Sequence, residues 1–183
     1  VAIERPKYSV EFSEKPFEVR RYAPVIVAVV HVRGARDDAV NAGFRILAGY
    51  IFGDNRTQSK IAMTAPVTES AAQTIAMTAP VEQSATQSGW DIRFTMPAAY
   101  TLETLPRPRD ARVQLMREPE RRMAAITFSG FWSDSNLQSH QALLAAFLAK
   151  HRLTAASSPV YAYYDPPWTP WFLRTNEVLV EID

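Results

Sequence analysis

The sequence contains no cysteine. That excludes disulfides, thiolate nucleophiles, iron–sulfur clusters, cysteine zinc sites and thioether cofactor attachment through C-x-x-C-H. A cysteine-free chain tolerates oxidising and reducing surroundings alike, so the compartment stays open. An excess of charge is also missing: 20 Lys+Arg against 19 Asp+Glu leave a net charge of +1. This balance argues against a general nucleic-acid binder, which shows a basic excess or a concentrated basic stripe. The apolar run at residues 25–30 is strand-sized, and no run reaches the ~18–20 residues a membrane-spanning helix needs. No phosphate-binding loop, dinucleotide fingerprint, H-E-x-x-H or nucleophile elbow occurs, so the common catalytic motifs are absent.

What is present fits one sizeable core, or two small halves sharing one, within 183 residues. Sixteen of the twenty cations are arginine, suited to directional contacts with carboxylates or phosphates. Residues 8–12 and 17–22 read as strands around the turn Ser13-Glu14-Lys15-Pro16. Residues 25–33 are rich in β-branched residues and apolar on both alternating faces, which predicts a central, covered strand closed by Gly34. A helix follows, capped by Asp37 or Asp38 and running to about Phe52, with Val40, Phe44, Leu47 and Ile51 on its apolar stripe.

Residues 61–90 carry no Lys or Arg. They hold an identical heptad, IAMTAPV, at 61–67 and 75–81. A repeat seen once at a fourteen-residue offset is no solenoid; one copy is expected as a sheet strand and the other in a loop or at the strand's edge. Trp90, Ile92, Phe94 and Met96 then alternate with polar residues, a half-buried strand. The plan recurs: strands at 113–117 and 123–129, Gly130, a helix capped by Ser133 or Asp134 to about Lys150, and strands at 160–164 and 178–182. The apolar stripe of that helix is Leu137, Leu144, Phe147 and Leu148. The expectation is a single α+β domain over 1–183, with approximate halves 6–100 and 108–183 whose sheets join and whose helices pack on the sheet.

Residues 161–172, YAYYDPPWTPWF, hold six aromatics in twelve positions, with prolines at 166, 167 and 170. Prolines fix the backbone and forbid sheet continuation, so a stiff loop should present Trp168 and Trp171. It either plugs the end of a small barrel or walls a flat apolar ligand, with Arg174 at the edge for an anionic group. The arginines at 107, 109, 112, 117, 121 and 122 alternate with acids and read as a solvated, partly ion-paired face. His31 and His140 are the candidate iron or metal ligands, although a strand-end role for His31 and a bonded, partly buried role for His140 are favoured. His151 lies ~16 Å along the helix from His140 at ~1.5 Å per residue, too far to share one ion. Met63, Met77 and Met96 read as core filler.

EVRRYAP (18–24), GFRILAGYIFGDN (43–55), KIAMTAPV (60–67), its repeat, FTMPAAYTLETLPRP (94–108), FSG (128–130) and YDPPWTPWFLRTNEV (164–178) together resemble the SOUL haem-binding protein family. The tandem IAMTAPV is similar to members of plant and bacterial type. The resemblance implies a distorted β-barrel of two strand–helix–strand repeats. It also implies reversible, non-covalent binding of haem or a related tetrapyrrole without an established reaction. By the same resemblance the ligand lies between the first helix and the loop before the last strand. Phe44, Arg45, Leu47, Ala48, Ile51, Trp168, Trp171 and Arg174 are then the candidate binding residues, and no residue is assigned a catalytic role. Arg21 stands where one animal member has a proposed axial histidine, and Ala48 and Gly49 align with methionine and lysine of another. Apolar stacking, with Arg45 or Arg174 on the propionates, is therefore the expected mode. The alternative is a module for another flat hydrophobic ligand or a protein partner. The first residue is Val1; since bacterial members often look as if they carry a signal peptide, the expectation leans to export, otherwise to the cytoplasm.

Overall fold

A computed structural model describes residues 3–57, 72–166 and 168–183. The elements run β1 (Tyr8–Glu14), β2 (Phe17–Tyr22), β3 (Val25–Arg33), α1 (Arg36–Ile51), β4 (Asn55–Arg56), β5 (Val81–Ala85) and β6 (Gly89–Thr95). They continue β7 (Arg107–Pro108), β8 (Gln114–Glu118), β9 (Arg121–Phe128), α2 (Asp134–Lys150), β10 (Val160–Tyr163) and β11 (Asn176–Glu181). Nine strands form one curled, half-barrel sheet in the order β1-β2-β9-β11-β10-β5-β6-β3-β8. Leaving β1 aside, that order reads the same from both ends once β2, β3, α1, β5, β6 are matched to β8, β9, α2, β10, β11. The first strand of each repeat is exchanged: β2 pairs with β9, and β8 with β3. The repeats meet at the β5–β10 pair, where Glu82 faces Ala162.

The helices arise from their stripes. Leu137, Leu144, Phe147 and Leu148 of α2 are all buried, against Ile126, Val178 and Val180. On α1, Leu47 and Ile51 enter a core of Ala28, Val30, Ile92 and Phe94. A Cβ at Gly43 would lie 2.8 Å from Ile92 Cδ1, so glycine sets how closely α1 approaches β6. Ser133 caps α2 by accepting from the Asn136 N–H. The expected cap of α1 is corrected: Ala35 holds the cap position with no side-chain bond, and Asp37 and Asp38 sit in the first turn, where negative charge favours the helix dipole. Gly34 and Gly130, at matching places in the repeats, have φ of +114° and +113°, a conformation L side chains rarely adopt.

The first IAMTAPV copy lies outside the described residues. The second lies outside the sheet, its Ile75 buried and its N–H donating to Ile51 O at 2.7 Å, and only its last residue begins β5. The next two residues of β5, Glu82 and Gln83, are polar and buried. Opposite the helices, alternate residues form a third cluster of Tyr22, Met123, Ala125, Val160, Ala162 and Leu179. Beside it Arg20 makes two bonds to Glu177, at 3.0 and 2.5 Å, and Thr127 Oγ1 and the Tyr164 hydroxyl donate to the same carboxylate.

Glu82 shares this face and is 8% exposed. Its burial raises the carboxyl above its ordinary 4.5, against the attraction of Arg121 and Arg93. The folded protein thus holds this proton more tightly than the unfolded chain. Stability from this group is present below the unfolded value and is lost as pH rises through the folded one. Glu82→Gln should therefore raise stability at pH 7 and flatten its decline above about pH 4.5, as urea unfolding between pH 4 and 7 would show.

Candidate functional site

On the helix side, ring contacts cross from one repeat to the other. Phe44 of α1 meets Phe94 edge-on at 5.6 Å. Phe94 pairs with Val81 across β6 and β5, and Val81 with Tyr163 across β5 and β10. Tyr163 packs on Trp132 at 4.5 Å, and the Arg174 guanidinium lies 4.6 Å over the Trp132 ring. Phe131 stacks on Trp171 at 5.4 Å, and Trp171 meets Phe172 edge-on. Each repeat thus supplies one part of the row, and the β5–β10 seam joins them.

The loop at 164–175 is pinned despite its irregular path. Thr175 N–H donates to the Asp165 carboxylate, Thr169 N–H to Pro166 O and Arg174 Nε to Thr169 O. The Gly130 N–H donates to Trp171 O at 3.0 Å, tying the short 3₁₀ turn Trp171–Leu173 to the end of β9. The Trp132 indole N–H donates to Asn176 Oδ1, and Asn176 Nδ2 to Gly130 O. Arg36, at the start of α1, donates to Asp134, Trp132 O and the Tyr163 hydroxyl, so it holds the two helix N-termini together. Burial raises the Tyr163 hydroxyl above its ordinary value, keeping it a neutral partner for Arg36.

The sequence-derived candidates fall into two groups. Trp168 is 83% exposed and Trp171 51%, with Arg174 half-buried beside them. Phe44 is 40% exposed, Arg45 exposed and Ala48 half-buried on α1. Leu47 and Ile51 face the sheet and are fully buried, so their contribution is to the core. Among the described residues no ring of α1 stacks on a ring of the loop; the row through Val81 and Tyr163 connects them. Tyr163, one of the aromatics of the 161–172 segment, belongs to the cluster, and so do Phe131, Trp132 and Arg36, which escaped the sequence reading. The one available signal was the Phe131-Trp132 pair directly after a glycine-closed strand.

His140 donates Nδ1–H to Asn136 O at 2.7 Å and stacks on Phe128 at 3.8 Å. A carbonyl only accepts, so Nδ1 carries a proton, as in a histidine that ligates through Nε2. His31 is exposed at a strand end with Asp91 and Ser88 on its two ring nitrogens, and His151 Nε2 is bonded to Glu14. Met96 is buried and Met77 half-buried in the core, while Met63 lies outside the described residues. The arginines between 107 and 122 include pairs to Asp110, Glu118 and Glu11; the Arg112 and Arg122 pairs are partly solvated, whereas Arg121 and Glu118 are only 14% and 13% exposed.

The family profile described as SOUL heme-binding protein matches residues 3–181. Curated relatives include mouse heme-binding protein 2, 28% identical over 98% of this chain and 90% of its own. Human heme-binding protein 2 is 28% identical over 97% and 85%. Among solved structures, the EcmrR C-terminal domain superposes with a TM-score of 0.62 at 10% identity, covering 96% of this chain and 98% of its own. A protein described as a hydrolase from Listeria innocua gives 0.59 at 15% identity, covering 94% of both chains. At such identities these two show the fold alone.

Proposed function

This chain belongs to the SOUL haem-binding protein family, and from that premise we propose that it binds haem or a related tetrapyrrole reversibly and non-covalently. Its role is that of a carrier or buffer rather than an enzyme. The relatives named heme-binding protein 2 support the ligand class. The observation that carries the site is the set of exposed rings Trp168, Trp171 and Phe172 on a loop fixed by hydrogen bonds, with the exposed Phe131 stacked on Trp171. Flat apolar surface held rigid before binding is what a porphyrin face needs, because little ordering entropy remains to be lost. Micromolar affinity is ~8 kcal/mol, which at ~25 cal/mol per Å² asks for ~320 Å² of apolar contact before the cost of association.

The donor set fits the group. Arg174, flat on Trp132 beside Trp171, and Arg45, exposed on α1, are the residues that would meet the propionates. His140 is the histidine prepared to ligate iron, one helical turn past Asn136, whose side chain bonds Phe131 O. When bound, the tetrapyrrole supplies the redox or light-absorbing chemistry; this chain's residues stack, orient and shield it.

The test is absorption titration of the purified protein with haemin, with metal-free protoporphyrin in parallel. Saturation by both at one equivalent is expected if stacking suffices. Saturation by haemin alone would assign an iron ligand, and His140→Ala should then abolish the Soret shift. Saturation by neither would overturn the reading in favour of another flat hydrophobic ligand or a protein partner.

A further inference from the structure

We propose a second ligand site where β3 begins and β6 and β8 end, at a cavity lined by residues 4–7 that takes a small organic anion with an apolar body. This goes beyond the tetrapyrrole reading, because none of the cavity's lining residues belongs to the aromatic site. The cavity measures about 600 Å³, within the range that accepts drug-sized ligands. Its roof is the N-terminal segment, held where Ala23 N–H meets Lys7 O, Ala79 N–H meets Glu4 O, and Ala98 N–H meets the Glu4 carboxylate. Arg5 extends the roof, its guanidinium 4.7 Å over the Tyr164 ring. The floor and walls are apolar: Pro24, Val25, Ile26, Met96, Pro97 and Pro119.

The sign of the ligand follows from the charges around this apolar space. Arg5, Lys7 and Arg117 line it as cations, Glu4 and Glu118 as anions. Glu118 is already shared by Arg93 and Arg121, and Glu4 is held by a backbone N–H. Among the described residues neither Arg5 nor Lys7 has an ion-pair partner, and Arg117 reaches Glu103 only at 3.6 Å. Three cations with distant or no counter-charge over an apolar floor recognise a carboxylate or phosphate monoester attached to a hydrocarbon body. A cation of the same size would meet repulsion from every one of them.

Two-dimensional amide NMR titration tests this, using decanoate and decyl phosphate as probes and decyltrimethylammonium as control. Saturable shifts at Ala23, Thr95, Met96 and Ala98 are expected with the anions, with the Trp168 and Trp171 indole signals unmoved. The arm that saturates at lower concentration identifies the head group. Lys7→Glu and Arg117→Glu should each weaken binding by about fivefold or more and leave the fold intact, since exposed charges contribute little to stability. Shifts centred on Trp168 and Trp171, equal binding of the cationic control, no saturation, or unchanged affinity in both charge-reversal variants would overturn the proposal. Haemin titration of the same variants keeps the two sites apart: Arg117→Glu should leave it unchanged.

Discussion

Replacing Glu177 by alanine should lower stability by about 3–5 kcal/mol, the usual cost of removing one partner of a buried ion pair. Both Glu177 and Arg20 have side chains 4% exposed. The carboxylate also receives Thr127 and Tyr164, so its loss strands a buried guanidinium and takes the acceptor from two hydroxyls. Glu18 and the Tyr22 hydroxyl still contact Arg20 but supply only part of the lost partner. For a domain of this size each kcal/mol shifts the melting temperature by roughly 2–4 °C, so calorimetry should record a fall of about 6–20 °C. A double variant, Arg20→Met with Glu177→Met, should regain much of that, because a packed apolar pair removes the desolvation cost of both charges. A loss below about 1 kcal/mol in Glu177→Ala, within the range of an exposed pair, would show that the network does not hold β2, β9 and β11 together.

The double variant Trp168→Ala, Trp171→Ala should weaken haemin binding at least about tenfold, which is ~1.4 kcal/mol, a modest share of the apolar area two indoles offer. Its stability should change little, because Trp168 is 83% exposed and Trp171 51%, and the hydrogen bond from Gly130 goes to the main chain of residue 171. That separation makes the pair a clean probe. Leu47 or Ile51 would confound binding with folding, since both are fully buried. Haemin affinity unchanged in the double variant would remove the loop from the site and transfer attention to the α1 end of the ring row, at Phe44 and Arg45.

The periodic parts of the chain were legible without coordinates. The β2 and β3 bounds coincide with the expected ones, and all four stripe residues of α2 are buried. Strands and helices with one apolar face announce themselves because alternation and the 3.6-residue repeat reflect burial directly. β5 did not, since Glu82 and Gln83 are buried in mid-sheet with polar side chains, and a polar strand reads as loop. The cap of α1 was misplaced for a related reason: a charged residue in the first turn satisfies the dipole without making the capping bond.

The sequence by itself determined the α+β class, the repeated plan, the family and the stiff aromatic loop. The class, the plan and the loop depend on local composition or spacing, and the family on the resemblance of short segments such as KIAMTAPV and YDPPWTPWFLRTNEV. Tertiary structure decided that the repeats exchange their first strands and that Leu47 and Ile51 serve the core while Phe44 reaches the surface. It also decided that Arg36, Phe131 and Trp132 join the loop, and that the N-terminal segment roofs a charged face. These depend on which residues meet across distant parts of the chain, as when Arg20 meets Glu177, 157 positions away. Contacts of that kind leave no period in a sequence, because they are fixed by the order of strands in the sheet.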